Sequence, residues 1–233
     1  MNARERAIFK IYKESIQLFH DHGFEGTSVR MISEKANTSA SMINHYFGSK
    51  EQLGSDVFIL IGSYAYSSVL KYLSLEEKPV LYDLTLNRIS FLYIFNNGYK
   101  DFYLDAMKLD FPFRFKDLRT TKLIESLSKK YAFEFTSDDA LLYCHYLPFI
   151  IEKTLVLKKE EGEFSTYEYD QIPNIISEMS VGHFISDKEV KRYEEEADYI
   201  CKQILPSLSP DIPDEYIERY MKNKKENKEF YYE

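Results

Sequence analysis

The chain has 233 residues, of which 44% are hydrophobic and 29% charged, with only 8 glycines and 7 prolines. This composition is typical of a helix-rich globular protein and excludes the disordered and fibrous classes. There is no apolar run of 18 residues and no signal peptide, so the sequence predicts a soluble cytoplasmic protein that does not enter membranes. The two cysteines, Cys144 and Cys201, lack the spacing of a metal or redox motif, which favours core positions.

The net charge of −8 is unevenly distributed along the chain. Residues 1–50 carry 7 Lys and Arg against 5 Asp and Glu, whereas the remaining residues carry 23 against 33. The positive excess therefore lies in the N-terminal segment, where a contact with phosphates would need it. An excess of two charges is too small to identify a nucleic-acid-binding protein without further signals.

Three short helices are predicted at the N-terminus. Apolar residues recur at helical spacing from Ile8 to Phe19, and residues that cap or end helices separate the segments. The predicted helices are Ala3–His22, one capped by Thr27 or Ser28 and ending at Ala36, and one capped by Thr38 or Ser39 and ending near Tyr46. Short helices with a tight turn between the last pair describe a helix-turn-helix unit.

A longer helix is predicted over residues 49–73, with a capping-box pattern, Ser49-Lys50-Glu51-Gln52, at its start. No flexible linker precedes it, so it would connect the N-terminal unit rigidly to the rest. Further helices are predicted over 80–97, 100–109, 115–131, 137–159, 171–181, 186–205 and 215–221. The strand pattern at 131–135 is short, so the sequence predicts an all-α protein.

Three units follow from these elements. Residues 1–48 form a helix-turn-helix domain, and the long helix joins it to a larger helical ligand-binding and dimerisation domain over 49–206. Residues 207–233 form a C-terminal extension with a short helix and a charged tail that is expected to fray.

Residues 18–53 resemble the signature of the tetracycline-repressor (TetR) family without a gap. The matching residues are Leu-Phe-x-x-x-Gly-Phe at 18–24, Thr-Ser-Val at 27–29, Ile-Ser-x-x-Ala at 32–36 and His-Tyr-Phe-x-Ser-Lys-Glu-x-Leu at 45–53. The resemblance implies a transcriptional regulator that binds a palindromic operator in double-stranded DNA as a homodimer. It also implies a repressor that an unknown small-molecule effector releases.

Candidate DNA-binding residues follow from the same segment. Small side chains at the start of the third helix allow a close approach to the major groove, which assigns Ala40, Ser41 and Met42, beside Ser39, to base edges. The resemblance implies further contacts to bases or phosphates from Thr27, Ser28, Arg30, Asn44, His45, Tyr46 and Lys50.

Two residues depart from the family pattern. Asn37 replaces the usual turn glycine, which is tolerable because Asn adopts the left-handed conformation readily. Asn44 stands where many family members carry a tyrosine that contacts a phosphate, and its amide makes a base contact possible there. Since residues 39–46 contain no Arg or Lys, an Arg–guanine contact cannot come from this helix, which predicts A/T-rich inner operator positions.

The regulatory domain offers weaker candidates. Aromatic residues are concentrated between 91 and 149, and each is more readily explained as core than as pocket lining. The candidate pocket residues are Phe102, Tyr103, Met107, Tyr143, His145 and Tyr146. The resemblance places the dimer interface on the helices over 137–159 and 186–205, with a kink at Pro148. The candidate interface residues are Leu155, Val190, Tyr193, Ala197, Ile200 and Ile204.

The sequence gives no reason to expect an enzyme. No nucleophile elbow, phosphate loop or dinucleotide fingerprint occurs, and the histidines lack ligand spacing, so neither a cofactor nor a metal is expected. The alternative to a DNA-binding regulator is a helical dimer that serves mainly as a protein-interaction module. Specific DNA binding would distinguish the two.

Overall fold

The computed structural model describes residues 1–114, 118–131, 136–181 and 185–226. These ranges contain helices and no strand, so the all-α prediction is confirmed, while the strand pattern after Tyr131 lies outside them. The helices are α1 (Ala3–His22), α2 (Val29–Lys35), α3 (Ala40–Phe47), α4 (Lys50–Val69), α5 (Pro79–Asn96), α6 (Lys100–Lys108), α7 (Leu118–Tyr131), α8 (Ser137–Leu141), α9 (Leu147–Glu160), α10 (Ile172–Val181), α11 (Asp187–Ile204) and α12 (Asp214–Lys225).

The first three helices form at the predicted positions because their end signals are local. Asn2 caps α1 in a reciprocal capping box with Glu5, and Ser28 and Ser39 cap α2 and α3 through their hydroxyl oxygens. Asn37 has a φ of 51°, the left-handed conformation expected for the turn between α2 and α3. We refer to α1–α3 as the head.

Helix α4 connects the head to the rest of the protein. It begins at the predicted N-cap, Ser49, and ends at Val69, about one turn before the predicted end. Most of its residues are buried, because α4 packs against α1 and α3 on one side and α5 and α6 on the other. A helix buried on several sides transmits a displacement of one neighbour to the others.

Helices α5 and α11 form the centre of the larger domain. The apolar seam on α11 packs against α5 of the same chain, and Val190, Tyr193, Ala197 and Ile204 are buried there. The side chains of these four residues are therefore covered within one protomer. Leu155 and Ile200 are partly exposed.

The predicted helix over 137–159 is interrupted. A turn of π-helix over Leu142–Tyr146 separates α8 from α9, and Pro148 stands in the first turn of α9. Proline has no N–H and its ring crowds the carbonyl four residues earlier, so a wider turn before it relieves both problems. The kink predicted at Pro148 takes this form.

The helix of the C-terminal extension is longer than the sequence indicated. Helix α12 continues to Lys225, beyond the predicted end at residue 221, and it packs against α1 and α4. Its inner face buries Tyr216, Ile217 and Tyr220. The part of the tail beyond residue 226 lies outside the described residues.

A buried acidic residue on α4 fixes the position of α12. Asp56 is only 2% exposed; its carboxylate accepts hydrogen bonds from the Tyr12 hydroxyl and the Lys224 ammonium, and its carbonyl oxygen accepts one from the Tyr220 hydroxyl. Lys13 pairs with Asp214 at 2.8 Å at the other end of α12. A buried carboxylate is tolerated only with such partners, so α12 is held against both the head and α4.

Across the described ranges, every helix is too short or too polar to cross a bilayer.

Candidate nucleic-acid interface

Helix α3 presents a polar face to solvent. Ile43 and Phe47 are buried and anchor the helix, while Ser39, Ala40, Ser41, Asn44 and His45 are exposed. Met42 is partly exposed beside them. The structure therefore brings most of the predicted base-reading residues together on one surface that is narrow enough to enter a major groove.

The N-terminal end of α3 offers small hydroxyl groups. The Ser39 side chain accepts a hydrogen bond from the Met42 amide, and its oxygen lies 2.8 Å from the Ser41 hydroxyl. Asn44, about one turn further, has no side-chain hydrogen-bond partner among the described residues, so both its donor and its acceptor remain available. An amide with both functions free matches the donor and acceptor of an adenine edge.

Helix α2 supplies the positive charge beside this surface. Arg30 is exposed and pairs with Glu34 one turn along the helix, with an N–O distance of 2.7 Å. This exposed pair is weak, so the guanidinium can exchange its partner for a phosphate at little cost. Ser28 is also exposed, at the N-terminus of the same helix.

Two residues of the predicted set hold the head together instead. Thr27 is 1% exposed, and its hydroxyl donates to the carbonyl oxygens of Leu18 and Gly23 at 3.1 and 2.8 Å. The Thr27 hydroxyl therefore lies inside the protein and not on the exposed surface of the head. Lys50 donates to the carbonyl oxygens of Phe24 and Thr27 and covers the Phe24 ring at 4.1 Å.

The end of α3 lies near positive residues from both ends of the chain. Tyr46 is partly exposed and lies 5.8 Å from the Arg4 guanidinium. A groove beside this pair is also lined by Arg219 and Lys222 of α12. These two residues are more than 170 positions away from α3 in the sequence, so only the docking of α12 reveals them as charges near the head.

Besides α4 and α12, the head contacts α6 and the short 3-10 helix Phe111–Arg114 of the larger domain. Phe19 and Phe102 stack with ring centres 4.9 Å apart, and Phe24 meets Phe111 edge to face at 5.1 Å. The Glu25 amide donates to Asp105 at 3.0 Å. Any displacement of α6 therefore reaches the head directly.

A cavity of about 100 Å³ lies on the opposite side of α6, bounded by α4, α5, α9 and α10. Three of the predicted pocket residues, Tyr103, Met107 and His145, line it. The other three do not. Phe102 is buried against Phe19 and Phe58, Tyr146 is exposed and stacks on Phe113, and Tyr143 is partly exposed outside the lining.

The cavity contains an acidic residue that sequence analysis missed. Glu152, on α9, lines the cavity and accepts a hydrogen bond from the Tyr103 hydroxyl. Burial raises the pKa of Glu152 to about 7, although the hydrogen bond from Tyr103 acts in the opposite direction. The helical pattern around Glu152 gives no such signal, because an acid followed directly by a lysine on a helix normally faces solvent.

Exposed apolar residues form a stripe on the π turn and α9. Leu142, Tyr146 and Ile150 are 47%, 43% and 50% exposed and follow each other at four-residue spacing. Met179 on α10, which packs against α9, is exposed as well. Such a patch on a folded protein commonly marks an interaction surface.

The comparisons with known proteins agree with the geometry of the head. The family model for bacterial regulatory proteins, tetR family, matches residues 11–56. That stretch contains α2 and α3 with most of α1 and the first turns of α4. Neither the curated proteins nor the solved structures yielded a match.

Proposed function

We propose that this chain, in which residues 11–56 match the family model for bacterial regulatory proteins, tetR family, is a DNA-binding regulator of transcription and acts as a repressor that a small molecule releases from its operator. The observation that carries DNA recognition is the exposed polar face of α3, on which the Asn44 side chain has no hydrogen-bond partner among the described residues. We expect the protein to act in the cytoplasm.

The connection between cavity and head supports release by a ligand. Tyr103 and Met107 face the cavity from α6, while Phe102 and Asp105 of the same helix contact the head. A ligand that fits the cavity better when α6 is displaced would shift the population toward a state with a displaced head. The effect on DNA affinity then equals the difference in ligand affinity between the two states.

We also propose a homodimer that uses the apolar stripe of Leu142, Tyr146 and Ile150. One head reads too few base pairs for useful affinity, and two heads must sit about 34–36 Å apart to enter successive major grooves. The stripe supports the predicted use of the region 137–159, whereas the seam of α11 is occupied within the protomer.

Ile150→Glu is expected to weaken dimerisation at least about tenfold, since a charge buried at an interface without a partner is strongly unfavourable. Sedimentation velocity across a dilution series measures the change. Tyr72→Glu is the matched control, because Tyr72 is at least as exposed as Ile150 but lies outside the stripe, after α4. Equal dimer stability in both variants would show that the stripe is not the interface.

The test of DNA recognition is in-vitro selection with the full chain, followed by affinity measurements over a salt series. We expect a palindromic site with A/T-rich inner positions and a steep loss of affinity with salt. Arg30→Ala should weaken binding to all sequences and lower the salt slope by about one for each phosphate that is no longer neutralised. Lys50 is unsuitable for this purpose because it also holds the loop after α1.

Selection that returns no preferred sequence would instead support a helical dimer that binds other proteins. Selected half-sites with G/C-rich inner positions would contradict the predicted reading by α3 while leaving the regulator itself intact.

A further inference from the structure

We propose that the cavity binds a small organic cation, such as an amine that carries an apolar group, with Glu152 as its counter-ion. The inference deepens the proposed function, on which its regulatory meaning rests, but the binding itself can be tested without DNA. Three features carry it: an acid without a cationic partner among the described residues, the aromatic walls, and a described lining that contains neither lysine nor arginine.

Glu152 has a hydrogen-bond partner but no charge partner. Its carboxylate accepts from Tyr103 and forms no salt bridge with any residue in the described ranges. The neighbouring Lys153 pairs with Asp110 instead, and Arg88 of α5 pairs with Asp198 of α11 at 2.7 Å. A buried carboxylate that lacks a cation is costly, and a ligand that supplies the cation removes much of that cost.

The aromatic walls of the cavity are suited to an ammonium group and its apolar substituents. Aromatic rings line it from four helices: Phe58 and Tyr66 from α4, Phe91 from α5, Tyr103 from α6 and Phe149 from α9. The faces of such rings attract ammonium groups, and the attraction grows when water is excluded. Rings around a carboxylate therefore favour a charged head with apolar substituents over a strongly hydrated metal ion.

The other ligand classes fit less well. An anion would meet the carboxylate of Glu152 at close range, and a neutral apolar molecule would leave the ionised form of Glu152 without a counter-charge. The remaining polar lining comes from Asn87, Ser90 and His145. A volume of about 100 Å³ has room for several water-sized groups, which limits the ligand to a small amine.

Binding at this position has a direct route to the head. A cation that pairs with Glu152 competes with the Tyr103 hydroxyl for the same carboxylate. Tyr103 is adjacent in sequence to Phe102, which stacks on Phe19 of α1. The ligand would thus act on α6, one of the helices that contact the head.

Calorimetric titration of the full chain with benzylammonium tests the proposal, with benzyl alcohol and benzoate as neutral and anionic probes of similar size. We expect the cation to bind roughly tenfold or more tightly than either of the others. Glu152→Gln should remove that advantage and leave the affinity for benzyl alcohol unchanged. The amide keeps an oxygen for Tyr103, so the variant should fold, and its thermal unfolding checks this.

Glu160→Gln on the same helix is the matched control, since Glu160 pairs with Lys100 outside the cavity lining. The proposal is overturned if benzyl alcohol or benzoate binds as well as the cation, if folded Glu152→Gln retains full affinity for the cation, or if benzylammonium fails to bind at up to about 10 mM. Operator binding is measured in a separate experiment. A protein that binds the cation but no specific DNA site would contradict the proposed repressor function and leave the proposed cation site intact.

Discussion

Replacing Asn44 with alanine is expected to lower affinity for the selected operator roughly 5- to 150-fold for each head, the range expected from removing a bidentate amide–adenine pairing of about 1–3 kcal/mol. The effect should fall on one position of each half-site, where the preference for adenine disappears. Fluorescence anisotropy with operator variants at that position measures both the affinity and the preference.

The same substitution should leave the fold intact. Asn44 is exposed and its side chain bonds to no described residue, and alanine is the better helix former by a few tenths of a kcal/mol. Asn96→Ala, which removes another exposed amide at the end of α5, is the matched control and should bind DNA normally. If Asn44→Ala binds every operator variant as the unchanged protein does, α3 does not read DNA through this residue.

Gly54→Ala is expected to lower the free energy of unfolding by about 1–3 kcal/mol, although alanine normally stabilises a helix. A Cβ atom at Gly54 would lie 2.5 Å from the Phe24 ring and 2.8 Å from the Phe111 ring. Both rings are buried where the head meets the larger domain, so neither can move away without disturbing that contact. Urea denaturation, with the slope compared between variants, measures the change.

Gly62→Ala, two turns further along α4, gives the opposite expectation. A Cβ atom there meets the Ser90 hydroxyl at an ordinary 3.5 Å, so stability should stay the same or rise by up to about 1 kcal/mol. Both variants gain the higher helix propensity of alanine, so the difference between their stabilities measures the cost of close packing at Gly54. Equal stability changes in the two variants would show that the rings beside Gly54 yield freely.

The head was largely predictable because its signals are local. Caps at Ser28 and Ser39, the left-handed Asn37 and the start of α4 at Ser49 depend on residues within a few positions of each other. The exposed face of α3 follows from helical periodicity once those ends are known. Thr27 was the exception, because a threonine before a helix looks the same whether its hydroxyl faces solvent or donates to Leu18 and Gly23.

The cavity shows the limit of the same reasoning. The sequence predicted a pocket with Tyr103, Met107 and His145, which line the cavity, but also with Tyr146, which is exposed. It missed Glu152, because an acid beside a lysine on a helix normally faces solvent. Five helices contribute to the lining, and no single segment carries the information about which side chains meet.

Local sequence was sufficient to establish the helical class, the ends of α1–α3 and the family of the N-terminal segment. Tertiary packing was needed to establish that the seam of α11 packs against α5 of the same chain, that Asp56 holds α12 in place, and that Glu152 faces a cavity. Periodicity states that one face of a helix will be buried, but any apolar surface of matching shape can cover it. The choice among those surfaces depends on the packing of the whole chain.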